Sequence, residues 1–346
     1  MDVMDSDVGA LAARLFADSC PPERVRELMA TPAGYDRDAW RRWARDTGLA
    51  GLGVPARYGG LGSPLPDLAE VFEAAGRTLV CAPLLSTVGL AVPLLLAADD
   101  QGAAERWLPG LAAGTTTATA AIPAPAEPPV TVRGGRLSGR VERVIDGATA
   151  DLVLVVAGAE GLFAVDTTGL TRRPLMSLDL TRRQASIEFD GTPATRIGTA
   201  GARIEQALDV TRVLLAAELV GVAQQCLDST VAYAKQRVQF GRPIGSFQAV
   251  KQRAADMLVR VELARSAAHH AAAHPGEPPV AALAKAYCAE AATSVAADTI
   301  QLHGGIGFTW EHPAHLYYKR ALTDDEILGA AATQWARVSD HLDRVL

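Results

Sequence analysis

The chain has 346 residues, 49% hydrophobic and 21% charged, the balance of a globular protein with more than one core. A formal net charge of −6, with Lys and Arg scattered along the chain, argues against nucleic acid as a partner. The four cysteines, Cys20, Cys81, Cys226 and Cys288, lie too far apart for a metal-ligand spacing and read as reduced thiols of a cytoplasmic protein.

The first region, residues 1–115, reads as helices joined by short loops. "DRDAWRRWARDTGL" and "PLPDLAEVFEAAGRTL" carry apolar residues at three- and four-residue steps. The loop "GVPARYGGLG" separates them. "LLSTVGLAVPLLLAA" is apolar throughout but is interrupted by Pro93 and falls short of the roughly 20 residues a membrane span needs, so a buried helix is expected. No basic, apolar and small-residue leader is recognisable at the N-terminus. "GAAERWLPGLAAGT" predicts one more helix.

The second region, residues 116–201, changes period. "DLVLVVAG" and "GLFAVD" are short apolar runs of the kind found in buried strands. "ASIEFDG" alternates, with Ile187 and Phe189 on one face. A small β domain of short strands is expected.

In the third region, residues 202–346, long helices return. Apolar stripes run through Val210, Val213, Leu214 and Ala217, through Phe247, Val250, Ala254, Met257, Leu258 and Val261, and through Ala284, Cys288, Ala291 and Val295. They predict a bundle of the four-helix type. His269, His270 and His274 fall on different helix faces beside a Pro/Gly turn, which suits a solvated helix end better than a metal site. The fold class is therefore α+β: an N-terminal helical domain, a small middle β domain and a C-terminal helical bundle. A corner, "RVQFGRPIGSFQAVKQRAADM", is expected between two of the bundle helices at Gly241 and Pro243.

That corner, the later "QLHGGIGFTWEHPAHLYYKRA" and the early "LGVPARYGGLG", in this order of regions, resemble the acyl-CoA dehydrogenases over nearly the whole chain. The resemblance implies FAD bound between subunits and the removal of two hydrogens from an acyl-CoA thioester. A carboxylate takes the α proton, and the flavin takes the β hydride. It assigns Arg237 to the FAD diphosphate of a neighbouring subunit, a role suited to a planar, bidentate guanidinium. By the same resemblance Phe240 lies against the adenosine portion, Gly241 allows the turn, and Gln248 hydrogen-bonds the cofactor. Gln301, His303, Gly304 and Gly305 match the segment where FAD approaches the backbone.

Three departures stand beside these matches. The polar segment that lines flavin and substrate in the family is replaced by "AAIPAPAEPPVTV". The family's aromatic-Ile-Thr/Ser triplet falls on Arg143, Val144 and Ile145, and an isoleucine cannot donate a hydrogen bond to a flavin. The family's catalytic Glu-Gly step falls on Leu328 and Gly329, and the alternative base position falls near Thr211. Glu218 and Glu326 are the carboxylates left as candidates for a displaced base, and Glu218 reads equally as a buried, paired carboxylate.

The half that serves a neighbour's FAD is kept while the half that cradles the chain's own flavin is lost. This resembles the short subunit of actinobacterial heterotetrameric acyl-CoA dehydrogenases, associated with steroid side chains and other bulky acyl-CoAs. A full-length acyl-CoA dehydrogenase partner and electron-transfer flavoprotein as electron acceptor are implied with it. A self-sufficient dehydrogenase or oxidase with a relocated base, and a flavin-free scaffold subunit, are the competing readings.

Overall fold

The computed structural model describes residues 7–124 and 127–345. In chain order the helices are α1 (Asp7–Ser19), α2 (Pro22–Met29), α3 (Arg37–Thr47), α4 (Leu65–Thr78), α5 (Val92–Ala97), α6 (Gln101–Ala112), α7 (Ala202–Gln236), α8 (Gln248–Ala273), α9 (Val280–His303), α10 (Ala314–Glu326) and α11 (Ala331–Val345). The strands are β1 (Ala118–Ala121), β2 (Thr131–Arg133), β3 (Arg136–Ile145), β4 (Leu152–Val156), β5 (Leu162–Asp166), β6 (Thr171–Pro174), β7 (Gln184–Pro193), β8 (Thr195–Gly198), β9 (Val238–Gln239) and β10 (Arg242–Pro243). Helices, then strands, then helices is the order the sequence predicts. The chain divides into two compact units, one formed by residues up to Val25, Ala69–Val80 and from Arg212 on, the other by Arg26–Leu68 and Cys81–Thr211.

The second unit holds both four-stranded sheets. One sheet runs β1-β4-β5-β8, with β1 parallel to β4, and the other runs β2-β3-β7-β6, antiparallel throughout. Alternate side chains of both sheets, among them Val141, Val153, Phe163, Ile187 and Phe189, meet in one core. β3 and β7 are ten residues each rather than short, and a bulge between Val141 and Val144 breaks the alternation that would have revealed the length of β3. In the same unit Asp36 caps α3 by accepting from the Asp38 and Ala39 N–H groups, and Gly48, at φ +72°, closes its other end. The "LLSTVGLAVPLLLAA" stretch is helical and its first part is buried, as a π-helical segment Leu84–Ala91 that runs on into α5.

The first unit holds the helical bundle, in which α9 packs against α8, α10 and α11. α7 is long and apolar enough to cross a membrane, but 83% of its apolar window is buried inside the fold, as in a core helix. Two glycines let α4 and α7 touch backbone to backbone. A Cβ on Gly76 would lie 2.0 Å from the Glu218 carbonyl oxygen, and one on Gly221 would lie 1.9 Å from that of Glu73. The core stripe of α8 differs from the expected one. Met257 and Val261 are buried and continue into Ala264, Ala268 and Ala272, whereas Leu258 is 48% exposed. A helix turns about 100° per residue, so Leu258 leaves the face that Met257 presents to the bundle.

Candidate functional site

Arg237 follows the last residue of α7, and the chain there makes a tight hairpin rather than a plain helix-helix corner. β9 pairs antiparallel with β10 through Gln239 opposite Arg242 and Val238 opposite Pro243, and the Ile244 N–H donates to the Arg237 carbonyl at 2.8 Å. Phe240 and Gly241 form the tip, with φ of +52° and +77°, the signs a type I′ turn requires. Glycine adopts that geometry freely, but a phenylalanine does so at a cost of about 1 kcal/mol or more. The strained Phe240 is also 91% exposed, so burial does not compensate for the strain. Its ring sits edge-on to Phe247 with centroids 6.2 Å apart, and the Arg242 guanidinium lies 4.2 Å above the centre of the Phe247 ring. α8 starts at Gln248, which is exposed, with Phe247 as an N-cap that offers no side-chain acceptor. Among the described residues neither Arg237 nor Arg242 has a carboxylate partner, and both are exposed.

The end of α9 comes to the same place. The Thr230 hydroxyl donates to that of Thr299 at 3.0 Å, and the Tyr233 and His303 rings stack with centroids 4.5 Å apart, so α7 and α9 end side by side. Arg253 and Arg260 reach Asp298 at 2.7 and 3.2 Å and tie α8 to the same end. Gly304 follows at φ +63°, and Gly305 follows it. A Cβ on either would meet nothing within 4 Å. At Gly305 the local fold therefore makes no steric demand for glycine, and the space above the backbone is open to an external molecule. Gln301, one turn earlier, is exposed. The His303 side chain turns inward. Its ring is buried between Tyr233 and His312, and its Nδ1 lies 2.7 Å from the Thr299 carbonyl. Burial also holds its pKa below the ordinary histidine value, despite that backbone contact. From there it can orient the Gly304 backbone but cannot reach outward.

The family model for the acyl-CoA dehydrogenase N-terminal domain matches residues 9–115, and that for the C-terminal domain matches residues 201–342. The chain belongs to the acyl-CoA dehydrogenase family. It is 38% identical to acyl-CoA dehydrogenase IpdE2 of Mycolicibacterium smegmatis over 327 residues, covering 94% of each chain. Among solved structures it resembles a chain of the ChsE4-ChsE5 complex from Mycobacterium tuberculosis, at 30% identity and TM-score 0.90 with 99% of both chains covered. It also resembles a chain of the Tcur3481-Tcur3483 steroid ACAD G363A variant, at 31% identity and TM-score 0.89, covering 98% of this chain and 97% of that one.

Acyl-CoA dehydrogenases need a carboxylate base, and the structure shows what stands at each candidate position. Leu328, on which the sequence reading puts the Glu-Gly step, stands at φ +58°, its carbonyl accepting from Gln334 Nε2 at 2.7 Å. Asp325 accepts from the Ala331 N–H at 2.8 Å, and Lys285 Nζ donates to the Asp325 carbonyl at 2.9 Å, so this loop is pinned from both sides. Thr211 is buried and its hydroxyl donates to the Gly89 carbonyl at 2.7 Å. Glu218 is buried and takes a short hydrogen bond from Arg320, whose side chain is fully buried. Glu326 is exposed at the end of α10.

The second unit holds Arg143, Val144 and Ile145, on which the sequence reading puts the flavin-lining triplet. Val144 is buried in the sheet core, Ile145 is buried too, and the Ile145 carbonyl accepts from the Thr119 hydroxyl. Arg143 stands at φ +57° on the β3 bulge and faces Glu127 at 3.9 Å. Pro125 and Ala126 of the adjoining segment lie outside the described residues. Nothing in this triplet can donate a hydroxyl hydrogen bond to a flavin ring. The adenosine-diphosphate end of FAD thus fits the hairpin and the open glycine step, while its isoalloxazine end does not fit Arg143, Val144 and Ile145.

Sequence reading passed over Arg242, Tyr233 and Arg320. For Arg242 the available signal was a second arginine inside the hairpin. For Tyr233 it was a position one helical turn before Arg237. Arg320 has no local signal, because its partner is 102 residues away.

Proposed function

We propose that this chain is the FAD-site-completing subunit of a heteromeric acyl-CoA dehydrogenase. The proposal is carried by the exposed Arg237, which has no carboxylate partner among the described residues, and it reads Leu328 as filling the base position. Arg237 holds diphosphate oxygens bidentately, Phe240 lies against the adenosine, Gly241 makes the turn, and Gln248 and Gln301 offer amide hydrogen bonds. Gly304 and Gly305 admit the cofactor to the backbone, and His303 supports that step from inside. FAD, when bound, supplies the hydride acceptor. The α-proton base belongs to a full-length acyl-CoA dehydrogenase partner, since Glu218 is engaged by Arg320.

The steroid ACAD resemblance supports a bulky acyl-CoA, such as a steroid side-chain thioester, as the substrate of the assembly. The ChsE4-ChsE5 resemblance supports a two-component assembly. Electron-transfer flavoprotein as acceptor and a cytoplasmic location complete the proposal, and the three-domain division at residues 115 and 201 is proposed with it.

The test is Arg237→Ala in the flavin-loaded assembly purified from cells. The proposal expects loss of most bound FAD with the oligomeric state unchanged. Undiminished FAD in Arg237→Ala would instead support a flavin-free scaffold role for this chain.

A further inference from the structure

Large apolar side chains stand in the open at the end of the bundle where α7 and α9 finish side by side. Ile306 is 42% exposed, Phe308 78% and Trp310 60%, and Val238 and Phe240 project from the hairpin at that same end. Trp310 is held in place, with the Lys319 ammonium 4.6 Å from its ring centre and the His315 ring edge-on at 4.7 Å. Aromatic rings held rigid in solvent suit a protein interface, because a pre-ordered ring loses little entropy on docking. The charge there is also one-sided. The chain carries −6 overall, yet residues 235–253 contain two lysines, three arginines and no acid. Arg253 pairs with Asp298, whereas Lys235, Arg237, Arg242 and Lys251 are exposed with no carboxylate partner among the described residues. One diphosphate does not neutralise all of these, so positive charge remains for an anionic surface to match.

Charge and cofactor geometry together select the occupant. A second copy of this chain is disfavoured, because a two-fold interface sets a patch against itself and would bring these cations together. FAD held at the hairpin has no fitting place for its isoalloxazine at Arg143, Val144 and Ile145, so another chain has to cradle that ring and reach this end of the bundle. We infer that Phe308 and Trp310 anchor the partner subunit that cradles the isoalloxazine, and that Lys235 and Lys251 face an acidic rim on that partner. The inference rests on the hairpin being an FAD site. It adds the anchoring side chains, the chemistry of the partner's face and the reason this chain takes a different subunit rather than its own copy.

The experiment co-expresses the chain with a full-length acyl-CoA dehydrogenase from the same genome and follows the purified assembly on dilution by native mass spectrometry. Phe308→Ser and Trp310→Ser are each expected to raise the dissociation constant about tenfold or more, with the thermal midpoint of the lone chain unchanged. Lys235→Glu combined with Lys251→Glu is expected to slow association about tenfold at low salt and to flatten its salt dependence. These exposed lysines keep the test decisive if an aromatic variant fails to fold. Wild-type dissociation constants in both aromatic variants overturn the inference, as does an association rate indifferent to the lysine changes. A lone-chain dimer that Trp310→Ser splits also overturns it, because the surface is then one of self-association. Arg237→Ala, scored for FAD in the same assembly, separates the two levels. If it sheds FAD while the aromatic variants assemble normally, only the docking face fails. If it retains FAD, the hairpin reading itself fails.

Discussion

Arg320 Nη1 donates a short hydrogen bond to Glu218 Oε1, with the arginine side chain fully buried and that of the glutamate 4% exposed. This pair joins α10 to α7 within the bundle, and its chemistry decides what Glu218 does. Removing one partner of a buried ion pair leaves the other charge without compensation. Glu218→Gln should therefore destabilise the chain by about 3–5 kcal/mol, read as a drop in the thermal midpoint, while folded material in the assembly keeps its turnover. A variant of wild-type stability with abolished turnover would restore Glu218 as a base.

The α4–α7 crossing depends on two glycines. A Cβ on Gly221 would lie 1.9 Å from the Glu73 carbonyl oxygen, so Gly221→Ala forces two helix backbones apart. A loss of about 3 kcal/mol or more is expected in denaturant unfolding. An unchanged midpoint would show that the helices are not in backbone contact.

Phe240 sits at φ +52° without burial. Asparagine tolerates that conformation and precedes glycine readily in a type I′ turn. Phe240→Asn should raise stability by about 1 kcal/mol while lowering FAD retention by the assembly. If stability rises and FAD is fully retained, the strained phenylalanine has no part in the cofactor site.

Glu73 gives the bundle a pH dependence of definite sign. Burial pushes its carboxyl up, but the His269 contact at 3.4 Å and the Arg265 charge at 3.0 Å together outweigh this and hold it below the ordinary 4.5. A carboxylate depressed in the folded state contributes stability that is fully present above pH 4.5 and is lost as pH falls through the folded value. The wild-type midpoint should therefore fall more steeply below that pH than that of Glu73→Gln. Parallel curves would contradict the assignment.

The order of helical, β and helical regions was legible because each carries its own hydrophobic period over many residues, as in "ASIEFDG" and the Ala284–Val295 stripe. The residues around Arg237 and Gly304 were legible because two separated motifs coincide. Other features were not. The hairpin looked like a plain corner because a two-residue strand has no periodicity, and the positive φ falls on a phenylalanine, which gives no turn signal. The inward course of the His303 ring was not legible because a motif gives position but not side-chain direction, and the ring stacks with Tyr233 and His312. The Glu218–Arg320 pair spans 102 residues and is set by tertiary packing that no local pattern encodes.

The most direct test of the central claim is native mass spectrometry of the chain purified alone and after co-expression with a full-length acyl-CoA dehydrogenase from the same genome. The account predicts a flavin-free lone chain and a flavin-loaded hetero-oligomer. One FAD per chain in a homo-oligomer that turns over acyl-CoA would contradict it.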